Sequence, residues 1–124
     1  MDFSGRRILI VEDEADIRET LRNFFESEGA AVSTAGHGQQ ALDVLAAEQH
    51  PHLILLDLMM PVMNGEVFVS QKNQGPVTAQ IPVVIMSADH YTEQRANSMK
   101  IKWFIRKPLS LQSLITMAEE ALGV

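Results

Sequence analysis

The sequence predicts an α/β domain built around a parallel sheet, and three observations lead there. Short apolar runs alternate with amphipathic stretches five times along the chain. Two of the runs, residues 53–56 and 83–86, are apolar at every position, the pattern of strands buried on both faces. Polar residues of complementary kinds follow the runs directly, where open α/β sheets place their ligand crevice.

In chain order, Arg7-Ile8-Leu9-Ile10-Val11 is the first strand, rich in β-branched residues and ending at Glu12-Asp13. Ile17, Leu21, Phe24 and Phe25 recur at helical spacing among charges, which predicts an amphipathic helix over 15–27 with Gly29 as its stop. Ala31-Val32-Ser33-Thr34-Ala35 is a modest strand. After the Gly36-His37-Gly38 loop, Ala41, Leu42, Leu45 and Ala46 mark a helix to about Gln49, and Pro51 closes it off. Leu53-Ile54-Leu55-Leu56 is the central strand, with Asp57 at its C-terminal end. Met60-Pro61 turns the chain out of the sheet, because proline donates no hydrogen bond and restricts its predecessor. Asn64-Gly65 is expected to supply positive φ in the turn that follows.

A short helix to about Lys72 comes next, weakened by Val67 and Val69. Asn73-Gln74-Gly75-Pro76 reads as a loop. Pro82-Val83-Val84-Ile85-Met86 is a buried strand that tolerates proline at its first position, with Ser87 at its end. A helix over 92–99 has a thin apolar face of Ala96 and Met99. Residues 103–106 form the last strand, followed by Lys107-Pro108. Ser110 can cap a final helix striped by Leu111, Leu114, Ile115, Ala118 and Leu122. One domain over 1–124 is expected.

Composition narrows the chemistry. The chain is 46% hydrophobic and 21% charged, as a globular domain is. It has no cysteine, hence no disulfide, thiolate metal site or cysteine nucleophile. No apolar run approaches the roughly 18 residues of a membrane span, and the cytoplasm is the expected compartment. Ten Lys and Arg against 16 Asp and Glu leave a net charge of −6, which argues against direct nucleic-acid binding. The basic run Lys100, Lys102, Arg106 and Lys107 is interleaved with Ile101, Trp103, Phe104 and Ile105, an alternation that fits a half-buried strand better than a nucleic-acid patch. His37, His50, His52 and His90 show no metal-ligand spacing and are expected as ordinary loop residues.

In a parallel sheet Glu12-Asp13, Asp57, Ser87 and Lys107 converge on one edge. Two carboxylates ~5 Å apart repel by roughly 3 kcal/mol at an effective dielectric of about 20. Lys107 offsets part of that. A hard divalent cation offsets more, and carboxylates without His or Cys suit Mg²⁺.

Residues 8–13, Asp57 through Met60-Pro61 to Asn64-Gly65, Ser87-Ala88 and Lys107-Pro108 together resemble the receiver domain of two-component response regulators. The resemblance, over essentially the whole chain, implies a flavodoxin-like fold of five parallel strands in the order 2-1-3-4-5 with five helices. It implies that Asp57 takes a phosphoryl group from a phosphohistidine. Asp13, Asp57 and the Met59 carbonyl would ligate Mg²⁺, with Glu12 assisting directly or through water. Lys107 and Ser87 would contact the phosphoryl oxygens, Ala88 would leave room for them, and the Lys107-Pro108 bond would be cis. Ser87 and Phe104 would form the switch, read out on the face of helix four, strand five and helix five. Met59 and Asp89 would flank the path of a hydrolytic water.

The implied partners are a sensor histidine kinase or histidine phosphotransfer protein and a downstream protein target, with no membrane role. The chain would catalyse its own modification without being a turnover enzyme. Two departures bear on the output face: Met99-Lys100-Ile101-Lys102 stands where small residues are common, and Leu109 where Phe is common. Trp103 is expected as a surface or partner-facing residue and not part of a cofactor box. The competing readings are an interaction module independent of phosphorylation and a stand-alone phosphohydrolase. No Gly-rich phosphate loop of the GxxxxGK[ST] kind is present, which disfavours nucleotide hydrolysis.

Overall fold

A computed structural model describes residues 2–47, 50–60 and 63–123. Five strands, β1 (Arg7–Val11), β2 (Ala31–Ala35), β3 (Leu53–Asp57), β4 (Val83–Ser87) and β5 (Trp103–Arg106), form one parallel sheet in the order β2-β1-β3-β4-β5. Between and after them run α1 (Ala15–Ser27), α2 (Gly38–Leu45), α3 (Gly65–Lys72), α4 (Thr92–Ser98) and α5 (Leu111–Leu122). A single 3₁₀ turn, Thr78–Gln80, interrupts the loop before β4.

The pleat sends alternate residues of each strand into two cores. Leu9, Val11, Ile54, Leu56, Val83 and Ile85 pack with Phe68 of α3 and Ala96 of α4. Ile8, Ile10, Leu53, Leu55, Val84 and Met86 pack with Leu21 and Phe25 of α1 and Leu114 and Ala118 of α5. Both cores need β3, which is buried along its whole length, so truncating Leu55 or Leu56 to alanine would cost about 2–5 kcal/mol.

Most element ends fall where the sequence puts them, and the exceptions have local causes. Gly29 sits at φ +98° and closes α1, its amide donating to the Glu26 carbonyl while that of Ala30 donates to Phe25. An added Cβ there would lie 2.6 Å from Ser4 Oγ. α2 stops at Leu45, short of the expected end near Gln49, which lies outside the described residues, as does Pro61. His37, expected as a plain loop residue, caps α2 by accepting from the Gln40 amide (3.3 Å), and Ser110 caps α5. Pro82 precedes β4 instead of opening it; its carbonyl still accepts from the Ile54 amide, a bond that asks nothing of the missing N–H.

Candidate functional site

Each strand bearing a predicted site residue delivers it to the same C-terminal edge, and the hydrogen-bond ladder fixes how. The Glu12 amide donates to the Ala35 carbonyl (3.0 Å), extending the β1·β2 ladder one residue beyond β1. The Lys107 amide does the same toward Ser87 (2.8 Å), beyond β5. Asp57 is the last residue of β3, opposite Met86. Two helix starts then frame the site. Asn64 and Gly65, expected to take positive φ, do not. Asn64 has φ −72° and caps α3 through its side chain, which accepts from the Val67 amide (3.0 Å). Gly65 is needed for proximity: a Cβ would meet Leu58 Cδ2 at 2.5 Å.

Glu12 is fully buried, Asp57 is 2% exposed and Asp13 is open to solvent. A carboxylate oxygen from each lies within 4.8 Å of the others, close enough for one cation to bridge them. The Lys107 ammonium donates to Glu12 Oε1 at 2.8 Å and to Asp57 Oδ2 at 3.4 Å, while the Met59 amide donates to Asp57 Oδ1 at 3.0 Å. The Lys107–Pro108 peptide is cis. Ser87 is fully buried, and its Oγ accepts from the Asp89 amide (3.1 Å), leaving the hydroxyl proton free to point elsewhere.

The electrostatics follow from two buried acids sharing one ammonium. Burial pushes the Glu12 carboxyl up to about 7, against the pull of Lys107 and with help from neighbouring Asp57. Burial also raises Asp57, although hydrogen bonds from Glu12 and the Met59 amide hold it back. Burial thus works against a second negative charge in this pair, and both carboxyls lie above the ordinary carboxylate range. Burial disfavours the Lys107 charge as well, but its bond to Glu12 and the charge of Asp57 outweigh that and hold Lys107 above its ordinary value.

A second charged group, not anticipated from the sequence, lies across the mouth. Arg95 of α4 pairs with Glu66 of α3 (Nη2 to Oε1, 2.6 Å) and with Asp89 (2.6 Å), and its Nη1 lies 3.3 Å from Met59 Sδ. The two residues expected to flank the site, Met59 and Asp89, are thus tied to one guanidinium, and Met59 stays 58% exposed. Glu66 and Arg95 stand 29 positions apart, so no local pattern announces the pair.

Ala88 and Pro108 are exposed beside the site. Phe104 is half-buried against the α3–α4 core. Trp103, expected as a surface or partner-facing residue, is half-buried against the α1–α5 core, because alternation turns it to the opposite face from Phe104. The basic run also divides: Lys100 and Lys102 precede β5, whereas Lys107 follows it. No described helix is long and apolar enough to cross a membrane.

Comparison with known proteins accords with this geometry. A family model described as the response regulator receiver domain matches residues 8–119. The chain is 37% identical over 113 residues to the phosphate regulon transcriptional regulatory protein PhoB of Escherichia coli strain K12, covering 90% of this chain but 49% of that protein. It is 30% identical over 115 residues to an uncharacterized 14.6 kDa protein of Leptolyngbya boryana, covering 91% and 87% of the two chains. Among solved structures, the signal receiver domain of a signal transduction histidine kinase from Syntrophus aciditrophicus superposes with a TM-score of 0.85 at 27% identity, covering 96% and 91%. The chain spans about half the length of its transcriptional-regulator relatives. With the family model covering all five strands and the acidic edge they build, this chain belongs to the receiver domain family of two-component response regulators.

Proposed function

We propose that this receiver domain captures a phosphoryl group on Asp57 in a Mg²⁺-dependent reaction and passes the event to a partner protein. The observation that supports it most is the meeting of Asp57 with Glu12, Asp13 and Lys107, drawn from three strand ends into bonding reach. Their donors are hard carboxylate oxygens without imidazole or thiolate, which fits a small hard cation. Asp13, Asp57 and the Met59 carbonyl would hold it, and Glu12 would assist directly or through a water. When bound, Mg²⁺ supplies positive charge against the oxygens of the incoming phosphate.

The Asp57 carboxylate attacks the phosphorus of a phosphohistidine on a sensor histidine kinase or phosphotransfer protein. The O–P bond forms as the P–N bond breaks, and the imidazole nitrogen leaves with the bonding pair and is reprotonated by solvent. Lys107 holds its ammonium where charge builds on the phosphoryl oxygens. Ser87 turns its free hydroxyl proton toward them, and Ala88 has too small a side chain to obstruct the group. The domain modifies itself once per cycle, so it is a phosphoacceptor and not a turnover enzyme. An apolar groove of about 400 Å³, lined by Ile17, Leu21 and Leu109, opens beside Lys107 and offers a donor protein a seat.

The response is a population shift. Drawing Ser87 inward moves the segment that carries Asp89, which the Arg95 bridge ties to α3 and α4. Phe104 then moves further into the α4 side, changing the face of α4, β5 and α5. Full conversion from 1:99 to 99:1 needs about 5.5 kcal/mol of preference for the phosphorylated site. The test is a beryllofluoride titration with Mg²⁺, followed by NMR. Shifts at Asp57, Ser87 and Phe104 that disappear in Asp57→Asn are expected. Unchanged spectra would favour a module that binds partners without phosphorylation.

A further inference from the structure

The opposite, N-terminal edge of the sheet holds a cavity of about 550 Å³ between the end of α3, the start of β4 and the α4–β5 turn. The chain has four lysines, and all except Lys107 line it: Lys72, Lys100 and Lys102. Among the described residues no Asp or Glu lines it, in a chain of net charge −6.

Lys72 is the telling member. It is 4% exposed, and its ammonium donates to Asn73 Oδ1 (3.1 Å) and the Ala79 carbonyl (3.3 Å), both neutral groups of the cavity wall. A lysine ammonium has three donors, so one is left over. Among the described residues no carboxylate pairs with it, and burial alone depresses its pKa. A buried cation without a counter-charge is costly, and an anion arriving from outside removes that cost.

Lys100 adds a second sign. It occupies the left-handed position after α4 at φ +60°, with its amide bonded to Asn97 and that of Ile101 to Ala96. Glycine takes this position most easily, as Gly29 does after α1. A lysine there costs backbone energy and sets a cation at the cavity rim. Trp103, Ile101 and Met99 supply apolar wall, and the volume is that of an ordinary small-molecule site.

We propose that this cavity binds a small organic anion carrying at least two negative charges on phosphate or carboxylate groups. Lys72 anchors one charged group at depth, Lys100 and Lys102 close over the other, and Trp103 covers the carbon skeleton. The cavity takes in none of Glu12, Asp13, Asp57, Ser87 and Lys107, so this site and the phosphoacceptor reading can fail separately.

Trp103 is the chain's one tryptophan, so its fluorescence reports on the cavity directly. Inorganic pyrophosphate and, separately, citrate are titrated into the full chain without Mg²⁺ and at fixed ionic strength. A saturable change with one of them, and amide shifts at Ala79, Lys100 and Lys102, are expected. Whichever anion binds tighter names the headgroup. Because Lys100 and Lys102 are exposed, the Lys100→Gln/Lys102→Gln double variant keeps the fold and should weaken binding by at least about tenfold. Lys72→Met should weaken it further, and Asp57→Asn should leave it unchanged. No saturable response to either anion, or equal affinity in the double variant, overturns the proposal.

Discussion

At the C-terminal edge of the sheet, Glu12, Asp13 and Asp57 crowd together with Lys107 among them; at the N-terminal edge, Lys72, Lys100 and Lys102 line a cavity with no acid in its wall among the described residues. The first edge is partly balanced from within: Lys107 bonds both buried acids, and burial pushes the Glu12 carboxyl up to about 7. At the second, the described partners of the buried Lys72 charge are neutral. Burial of charge that the fold does not fully neutralise marks both places where a partner from solution has something to gain. The difference is the sign, and so the kind of partner proposed for each: a hard cation with phosphate at one edge, an organic anion at the other.

The sharpest way to separate the edges is Asp57→Asn. It should abolish phosphate incorporation outright while leaving the anion response of Trp103 intact; loss of both would show that the two edges are one site. Next in size, Asp13→Ala should weaken Mg²⁺ binding by at least about tenfold, measured by NMR titration, because it removes one of the three carboxylates proposed to hold the ion. The Lys100→Gln/Lys102→Gln variant should not change that Mg²⁺ affinity.

Arg95→Ala comes after these. It releases Met59 and Asp89 from the mouth and should alter the decay rate of the phosphorylated form several-fold, read by intact mass over time. Lys100→Gly should raise stability by about 1 kcal/mol in urea unfolding by relieving the left-handed position, while anion affinity falls. Gly29→Ala, at the matching end of α1, should destabilise instead, since the new Cβ meets Ser4 Oγ.

The smallest effect is a pH dependence at His52. Its Nδ1 accepts from the Arg7 amide (2.9 Å), and burial, with Arg7 and Arg6 nearby, lowers its pKa. The unfolded chain therefore binds the proton more readily, so stability should be full above the ordinary histidine pKa and decline as pH falls through the folded value. His52→Gln should flatten that decline in unfolding curves recorded between acid and neutral pH.

The fold was legible because both-face burial writes itself into the sequence: β3 and β4 are apolar at consecutive positions, and each stops at a polar residue. Glu12, Asp57, Ser87 and Lys107 were legible for the same reason, since strand ends in a parallel sheet share an edge. What stayed hidden depends on contacts between distant segments. Lys72 in an otherwise ordinary helix gives no sign of burial until the 75–81 loop folds over it. Arg95 becomes central only when α4 lies beside α3. The basic run is a half-buried strand, as its alternation predicts, but only the fold shows that β5 carries its lysines to opposite edges of the sheet.

The central claim is put at risk most directly by intact-mass measurement after incubation with acetyl phosphate and Mg²⁺. One added phosphoryl group, mapped to Asp57 and absent with EDTA or in Asp57→Asn, is the result predicted. An unmodified mass, or a phosphoryl group found on any other residue, would contradict it.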